Sequence, residues 1–323
     1  MAARRRGKKK SGRSYAWRYR GRIVACVFVE VIIICALVIM IGWNKGVKEW
    51  FEQFEQPVLK EVDISGINSP NAILMQARGG KILGEINGEA QIYPASMTKI
   101  MTVILGIENF DDLDEKITLT NEMFSGLYEQ DATQAGFQPG EEVRVIDLLY
   151  GAMLPSGAEC CIALADTISG SEADFAELMN KKARKLGMEN THFCDSTGLH
   201  NPDHYSTVKD IAVLMKYCIK NDTFREIVET SRHSTGVTNI HPDGITYYST
   251  MFKNLSDPTV TGGKILGGKT GYTSEAGHCL VSFAEIEGRE YIFVSAGASG
   301  ADGNTIPHIQ DAVTVYNRVG AAI

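Results

Sequence analysis

Hydrophobic residues fall into three patterns along this 323-residue chain. The first is one long run, Ile23–Trp43, whose 21 residues are broken only by Glu30. A helix rising 1.5 Å per residue over that length crosses the hydrocarbon core of a bilayer. Thirteen of the residues are Ile, Val, Leu or Phe, and each favours insertion by roughly 0.3–0.6 kcal/mol, against roughly 3 for one central acid. The run therefore predicts a transmembrane helix. The second pattern consists of short strand-like segments at both ends of the remaining chain. Ala72–Gln76 and Lys81–Glu85 flank Ala77-Arg78-Gly79-Gly80, and His278–Ile286 and Arg289–Ala296 flank Glu287-Gly288, so each pair reads as a hairpin. The third is helical spacing, seen in Ile146–Leu154, in a segment opened by Ser171 with Asp174 three residues on, in Ile211–Ile219 and in Ile306–Val319. Strands at the two ends with helices between predict an α+β fold: an antiparallel sheet built from both chain ends, packed on helices, with a helical lobe inserted in the middle.

Charge fixes the orientation of the membrane run. Met1–Arg22 carries ten Lys and Arg and no acid; setting those ten aside from the formal net of −7 leaves −17 for the remainder. A basic tail abutting an apolar span marks the cytoplasmic side and a contact for anionic lipid rather than a nucleic-acid site. Four segments follow: a basic cytoplasmic tail over 1–22, a transmembrane helix over 23–43, a juxtamembrane stalk over 44–60 and an extracytoplasmic domain over 61–323. In the stalk, Val47, Trp50, Phe51 and Phe54 recur at helical spacing before Pro57 stops the helix. A cleaved signal peptide is the rival reading, but the run is long for one and Gly42-Trp43-Asn44-Lys45 offers no small-residue cleavage site. Cys160, Cys161, Cys194, Cys218 and Cys279 are odd in number and irregularly spaced, which is not a disulfide framework. Cys160 and Cys161 read as core residues of a helix after Ser156. His200 and His204 stand four apart, but Asn201-Pro202-Asp203 between them reads as a turn, so no metal or cofactor is expected.

Three short motifs carry the chemistry: Ser96-Met97-Thr98-Lys99, Ser156-Gly157-Ala158 and Lys269-Thr270-Gly271. A lysine one helical turn after a serine lies on the same face and can take the hydroxyl proton, provided it becomes neutral. Ser96 follows Tyr93-Pro94-Ala95 and precedes a dense apolar run, so it opens a buried helix. There its own N–H is unpaired and the dipole favours negative charge, as an oxyanion hole requires. Lysine titrates near ~10.4 when free, and bringing it to about 7 takes ~5 kcal/mol, which burial and a second cation can supply. Lys269 is the candidate for that cation. Two decoys test the patterns. Ser206-Thr207-Val208-Lys209 repeats the serine–lysine spacing, but Thr207 with Asp210 reads as a helix cap. Gly263–Thr270 fits a phosphate-cradling loop, but Gly271-Tyr272-Thr273-Ser274 cannot supply the helix such a loop needs. A strand edge facing a cleft is the better reading: Lys269 and Thr270 offer charge and hydroxyl to a carboxylate, and Gly271 lets a ligand approach the backbone.

These motifs in this order resemble those of the penicillin-recognising serine enzymes. The flanking residues Tyr93–Thr102, Asp147–Gly151 with Leu154–Gly157, Thr191-His192-Phe193, Thr197-Gly198-Leu199, His204–Thr207 and Lys269–Thr273 with Ala276-Gly277 resemble the D-alanyl-D-alanine carboxypeptidases, the low-molecular-mass penicillin-binding proteins. The resemblance runs from about Ile73 to the C-terminus. It implies a β-lactamase/transpeptidase-like fold and a serine peptidase that trims the terminal D-Ala from peptidoglycan stem peptides outside the cell membrane and is acylated by β-lactams. It further implies that Ser96 is the nucleophile, Lys99 its base and Ser156 a proton relay. Lys269, Thr270 and Thr273 would hold the terminal carboxylate, beside Gly271, while the N–H groups of Ser96 and Tyr272 would form the oxyanion hole. One departure stands out: the family usually has asparagine where this chain has Ala158, with Glu159 next along. A class A β-lactamase would need a glutamate-held water, for which Glu177 is at the wrong spacing. A tethered binding protein without turnover is the reading that Ala158 favours and the intact Ser96, Lys99, Ser156 and Lys269 oppose.

Overall fold

A computed structural model describes Leu59 and residues 61–255, 257–300 and 306–323. The tail, the membrane run and nearly all of the stalk lie outside the described residues. Among the described residues no helix is long and apolar enough to cross a membrane. A compact unit runs from Leu59 to Ile323.

Its frame is a six-stranded antiparallel sheet. Strands β1 (Asn71–Gln76) and β2 (Ile82–Ile86) come from the start of the unit, and β7 (Thr259–Val260), β8 (Gly263–Thr273), β9 (Gly277–Ile286) and β10 (Arg289–Ala298) from its end, in the order β2-β1-β10-β9-β8-β7. The two ends join where β1 pairs with β10, placing Leu74 opposite Phe293 and Ile73 opposite Val294. Both expected hairpins form, and the expected α+β architecture with a sheet from both ends is the one found.

Between the ends lie β3 (Lys116–Thr118) and β4 (Glu142–Arg144), which form a short ribbon, and a second ribbon of β5 (Arg232–Ser234) and β6 (Thr246–Tyr248). The helices are α1 (Lys99–Asn109), α2 (Val145–Met153), α3 (Ala158–Ser169), α4 (Glu172–Leu186), α5 (Val208–Cys218), α6 (Asp222–Glu229), α7 (Thr250–Asn254) and, after β10, α8 (Pro307–Ala322). Caps fall where the sequence puts them: Ser171 Oγ accepts from the Asp174 N–H, and Thr207 Oγ1 from that of Asp210. The second serine–lysine spacing is thus a helix start. No helix follows Lys269, which lies within β8.

The sheet is buried on both faces, which is why β9 and β10 read as nearly continuous apolar runs. On one face Ala72, Leu74, Tyr291 and Phe293 pack with Ile309, Val315, Tyr316 and Val319 of α8 and with Val62 and Ile64. On the other, Ile73, Met75, Val281, Phe283, Ile292 and Val294 meet the helical lobe. At the centre of that lobe α1 is buried from Lys99 through Gly106. A helix enclosed on every side has no solvent face to slide toward, so its first turn is held firmly where the sheet and the lobe meet.

Candidate active site

Ser96 sits one step earlier than a helix start. It belongs to a 3-10 turn, Ala95–Thr98, that leads into α1 at Lys99. Pro94 sets the approach, and Ala95 is held at φ +47°, a left-handed conformation costly for a residue with a Cβ. Ser156 stands in a second strained position, φ +74°, at the elbow between α2 and α3. Such strain persists only where the surroundings enforce it. At the first serine they do so through Gly198, where a Cβ would lie 1.9 Å from the Ala95 carbonyl oxygen.

The side chains that the sequence scatters converge here. Lys99 Nζ lies 3.1 Å from Ser96 Oγ, Ser156 Oγ lies 3.0 Å from Ser96 Oγ, and Lys269 Nζ lies 3.0 Å from Ser156 Oγ. Both amines are buried, at 4% and 1% exposure. Burial holds Lys99 below the ordinary lysine range and Lys269 well below it, with the Lys99 charge pressing Lys269 further down. Two ammonium groups sharing one desolvated site repel, so one neutral amine is the favoured state.

A cleft of about 610 Å³ opens over these groups, lined by Ser96, Ser156, Thr270, Gly271, Tyr272 and Thr273 among others. Lys99 and Lys269 lie beneath its floor. Gly271 matters sterically: a Cβ there would stand 2.9 Å from the Ser96 amide nitrogen. The missing side chain leaves room beside that N–H for a substrate oxygen. Tyr272 is 60% exposed, with its ring 4.7 Å from that of His278. Thr273 Oγ1 accepts from the Ala276 N–H, and Thr270 Oγ1 lies 2.7 Å from Thr250 Oγ1. Thr250 N–H donates to the Leu154 carbonyl, so the short α7 joins β8 to the Ser156 elbow.

Sequence reasoning missed the residues that hold Lys99. Its Nζ donates to the Thr197 carbonyl at 2.6 Å, while Thr102 Oγ1 donates to the Ser196 carbonyl and Thr98 Oγ1 meets His204 Nε2 at 2.9 Å. Asp195 fixes this loop by accepting from Thr197 N–H, Thr197 Oγ1 and Gly198 N–H through one oxygen. Burial opposes ionisation of Asp195, but the His204 bond and these donors overcome it and bring the carboxyl to about 2. A backbone carbonyl leaves no trace in a sequence; the Asp-Ser-Thr-Gly turn chemistry of residues 195–198 was the one available signal. His200 and His204 part company as the turn between them implies: His204 is buried behind the nucleophile, and His200 lines the cleft, edge-on to Tyr93. Glu177 lies on α4, away from the cleft, lining a separate outer cavity. Ala158 is buried and brings no polar group, and Glu159 turns toward a neighbouring loop.

A buried lysine touches one serine, that serine touches a second in a strained conformation, and the second serine touches a second buried lysine, all at a cleft on a sheet edge in a two-lobed α+β fold. The crystal structure of the Streptomyces K15 DD-transpeptidase has this fold, with a TM-score of 0.71 at 29% identity, covering 81% of this chain and all of that one. Residues 58–300 match the sequence model of the D-alanyl-D-alanine carboxypeptidases, peptidase family S11, and the chain belongs to that family. Similar curated proteins include D-alanyl-D-alanine carboxypeptidase DacF of Bacillus subtilis, 35% identical over 71% of this chain. Another is DacC of Escherichia coli, 33% identical over 73% of it. The chain spans 57% and 58% of the lengths of these two relatives.

Proposed function

We propose that this chain is a membrane-anchored serine D-Ala-D-Ala carboxypeptidase that removes the terminal D-Ala of peptidoglycan stem peptides through an acyl-enzyme on Ser96, and that β-lactams acylate the same serine. The observation that carries this reading is the unbroken line Lys99–Ser96–Ser156–Lys269, each contact 3.0–3.1 Å long. Neutral Lys99 takes the Ser96 proton as Oγ bonds to the penultimate carbonyl carbon, and the carbonyl oxygen, now an anion, turns toward the Ser96 and Tyr272 N–H groups. When the tetrahedral intermediate collapses the C–N bond breaks, and the proton passes from Lys99 through the Ser156 hydroxyl to the departing amine. Water then attacks the ester, with Lys99 again accepting a proton, and frees Ser96. Thr270 and Thr273 present hydroxyls to the terminal carboxylate, over the buried Lys269. The Ile23–Trp43 segment would hold this domain at the outer face of the membrane, next to peptidoglycan.

The same acyl-enzyme would pass to an amine if one displaced the water, and the Streptomyces K15 protein carries both a carboxypeptidase and a transpeptidase name. The test is release of free D-alanine by the full-length chain from a peptide ending in D-Ala-D-Ala. Assayed from about pH 6 to 9, release is expected to rise with pH as Lys99, lowered by burial, loses its proton. No D-alanine release across that range would refute the assignment.

A further inference from the structure

Glu159 is a fully buried carboxylate in the first turn of α3, three residues past Ser156. Its Oε1 accepts from the Ala135 N–H at 2.6 Å and the Gly136 N–H at 2.9 Å. The loop so gripped is pressed on the Ser156 elbow. A Cβ at Gly157 would lie 2.7 Å from Ala135 Cβ, the Ala158 N–H donates to the Thr133 carbonyl, and Thr133 lines the cleft. The other oxygen, Oε2, is buried without a hydrogen-bond partner among the described residues. A half-satisfied buried carboxylate is costly, and an asparagine or a serine could have capped that loop more cheaply. What neither can supply is negative charge.

The groups around it say where that charge acts. Burial lowers Lys99, and the negative charges of Asp195 and Glu159 oppose that lowering; burial likewise raises the Glu159 carboxyl, against the pull of the loop amides it accepts from. A Cβ at Gly157, next to Ser156, would lie 3.0 Å from Glu159 Oε2, so the carboxyl is set against the elbow. Facing Glu159 itself are Cys160 and Cys161 on its own helix and Tyr247 on β6, all of which burial keeps protonated. Of the two acids, Asp195 is already committed to His204 and its turn. Glu159 has an oxygen to spare.

We infer that Glu159 is a positioning residue for the acylation step, one carboxylate oxygen pinning the Thr133–Gly136 loop against the Ser156 elbow while its negative charge, set against that elbow, acts on the amine of Lys99. The role rests on the peptidase reading. Without the carboxylate, burial depresses the Lys99 amine further; with it, the amine stays basic enough to take the Ser96 proton and return it to the leaving group. Glu159 thus gives the site a compensating function where Ala158 lacks an amide, acting on Lys99 through its field rather than through a hydrogen bond.

Full-length native chain, Glu159→Gln and Glu159→Ala are compared by the second-order rate of acylation by a fluorescent penicillin from pH 5 to 9. Glu159→Gln keeps an acceptor for the loop amides, so its plateau rate is expected within about threefold of native. Its acid limb moves to lower pH by about 0.5–1.5 units as the charge is lost. Glu159→Ala moves the limb likewise and loses at least tenfold in plateau rate as the loop is freed. An unmoved limb in Glu159→Gln overturns the inference even if Glu159→Ala fails to fold, and so does a native-like Glu159→Ala. A native chain that takes no label refutes the peptidase reading itself, and this inference with it.

Discussion

At the residue scale, the site is built on two amines placed where water cannot reach them. Burial depresses both, so over the range from the lowered folded value of Lys99 up to the ordinary 10.5 the unfolded chain binds a proton that the folded chain does not. Stability therefore rises with pH across that window. In Lys99→Met this contribution disappears. The unfolding free energy of the native chain should gain on that of Lys99→Met between pH 7 and pH 10 in urea titrations, while acylation is lost. Parallel curves would show that Lys99 is not destabilised when charged. Gly271 makes a second prediction. Its virtual Cβ stands 2.9 Å from the Ser96 nitrogen and 3.2 Å from the Pro94 carbonyl oxygen, so Gly271→Ala should fill the space for the substrate oxygen. Penicillin acylation should fall by about 10²-fold or more, with far-UV circular dichroism unchanged. A variant that acylates normally would place the oxyanion elsewhere.

At the scale of elements, the loop from Cys194 to Leu199 governs α1 as much as the sheet does. Hydrogen bonds stitch Lys99 and Thr102 to it directly and Thr98 to it through His204, which meets Asp195, and Asp195 holds its turn. Because the Asp195 carboxyl lies at about 2 in the fold against an ordinary 3.8, it stabilises the fold above the ordinary value, and this contribution drains away as pH falls toward 2. The shift corresponds to about 2 kcal/mol. Asp195→Asn should flatten that part of the acid unfolding curve and lower kcat/KM by roughly 10- to 100-fold by letting the Thr197 carbonyl wander. Equal acid sensitivity of native and variant chains would contradict the account. The Thr207 cap is a smaller matter: Thr207→Ala should cost about 1 kcal/mol in chemical denaturation, with acylation retained.

At the scale of the whole molecule, what the sequence made legible followed from periodicity and from close spacing. Both hairpins, α8, the Ser171 and Thr207 caps and the sheet drawn from both ends could be read because alternation and capping are local signals. Ser96, Lys99, Ser156 and Lys269 were readable because each lies in a short motif, and the structure brings all four together. The ribbons β3–β4 and β5–β6 and the five-residue α7 were not read, being too short to show a period. The Thr197 carbonyl escaped because it belongs to the backbone. Glu159 was noticed for its place beside Ala158, but its target, a loop some two dozen residues upstream, is set by tertiary packing alone. In the proposed mechanism Ser96, of all the hydroxyls in the chain, is the acyl acceptor. Intact mass spectrometry of the full-length chain after exposure to a penicillin tests it most directly. One added penicillin mass on the native chain and none on Ser96→Ala is the expected result. An unmodified native chain, or the same adduct on Ser96→Ala, would contradict it.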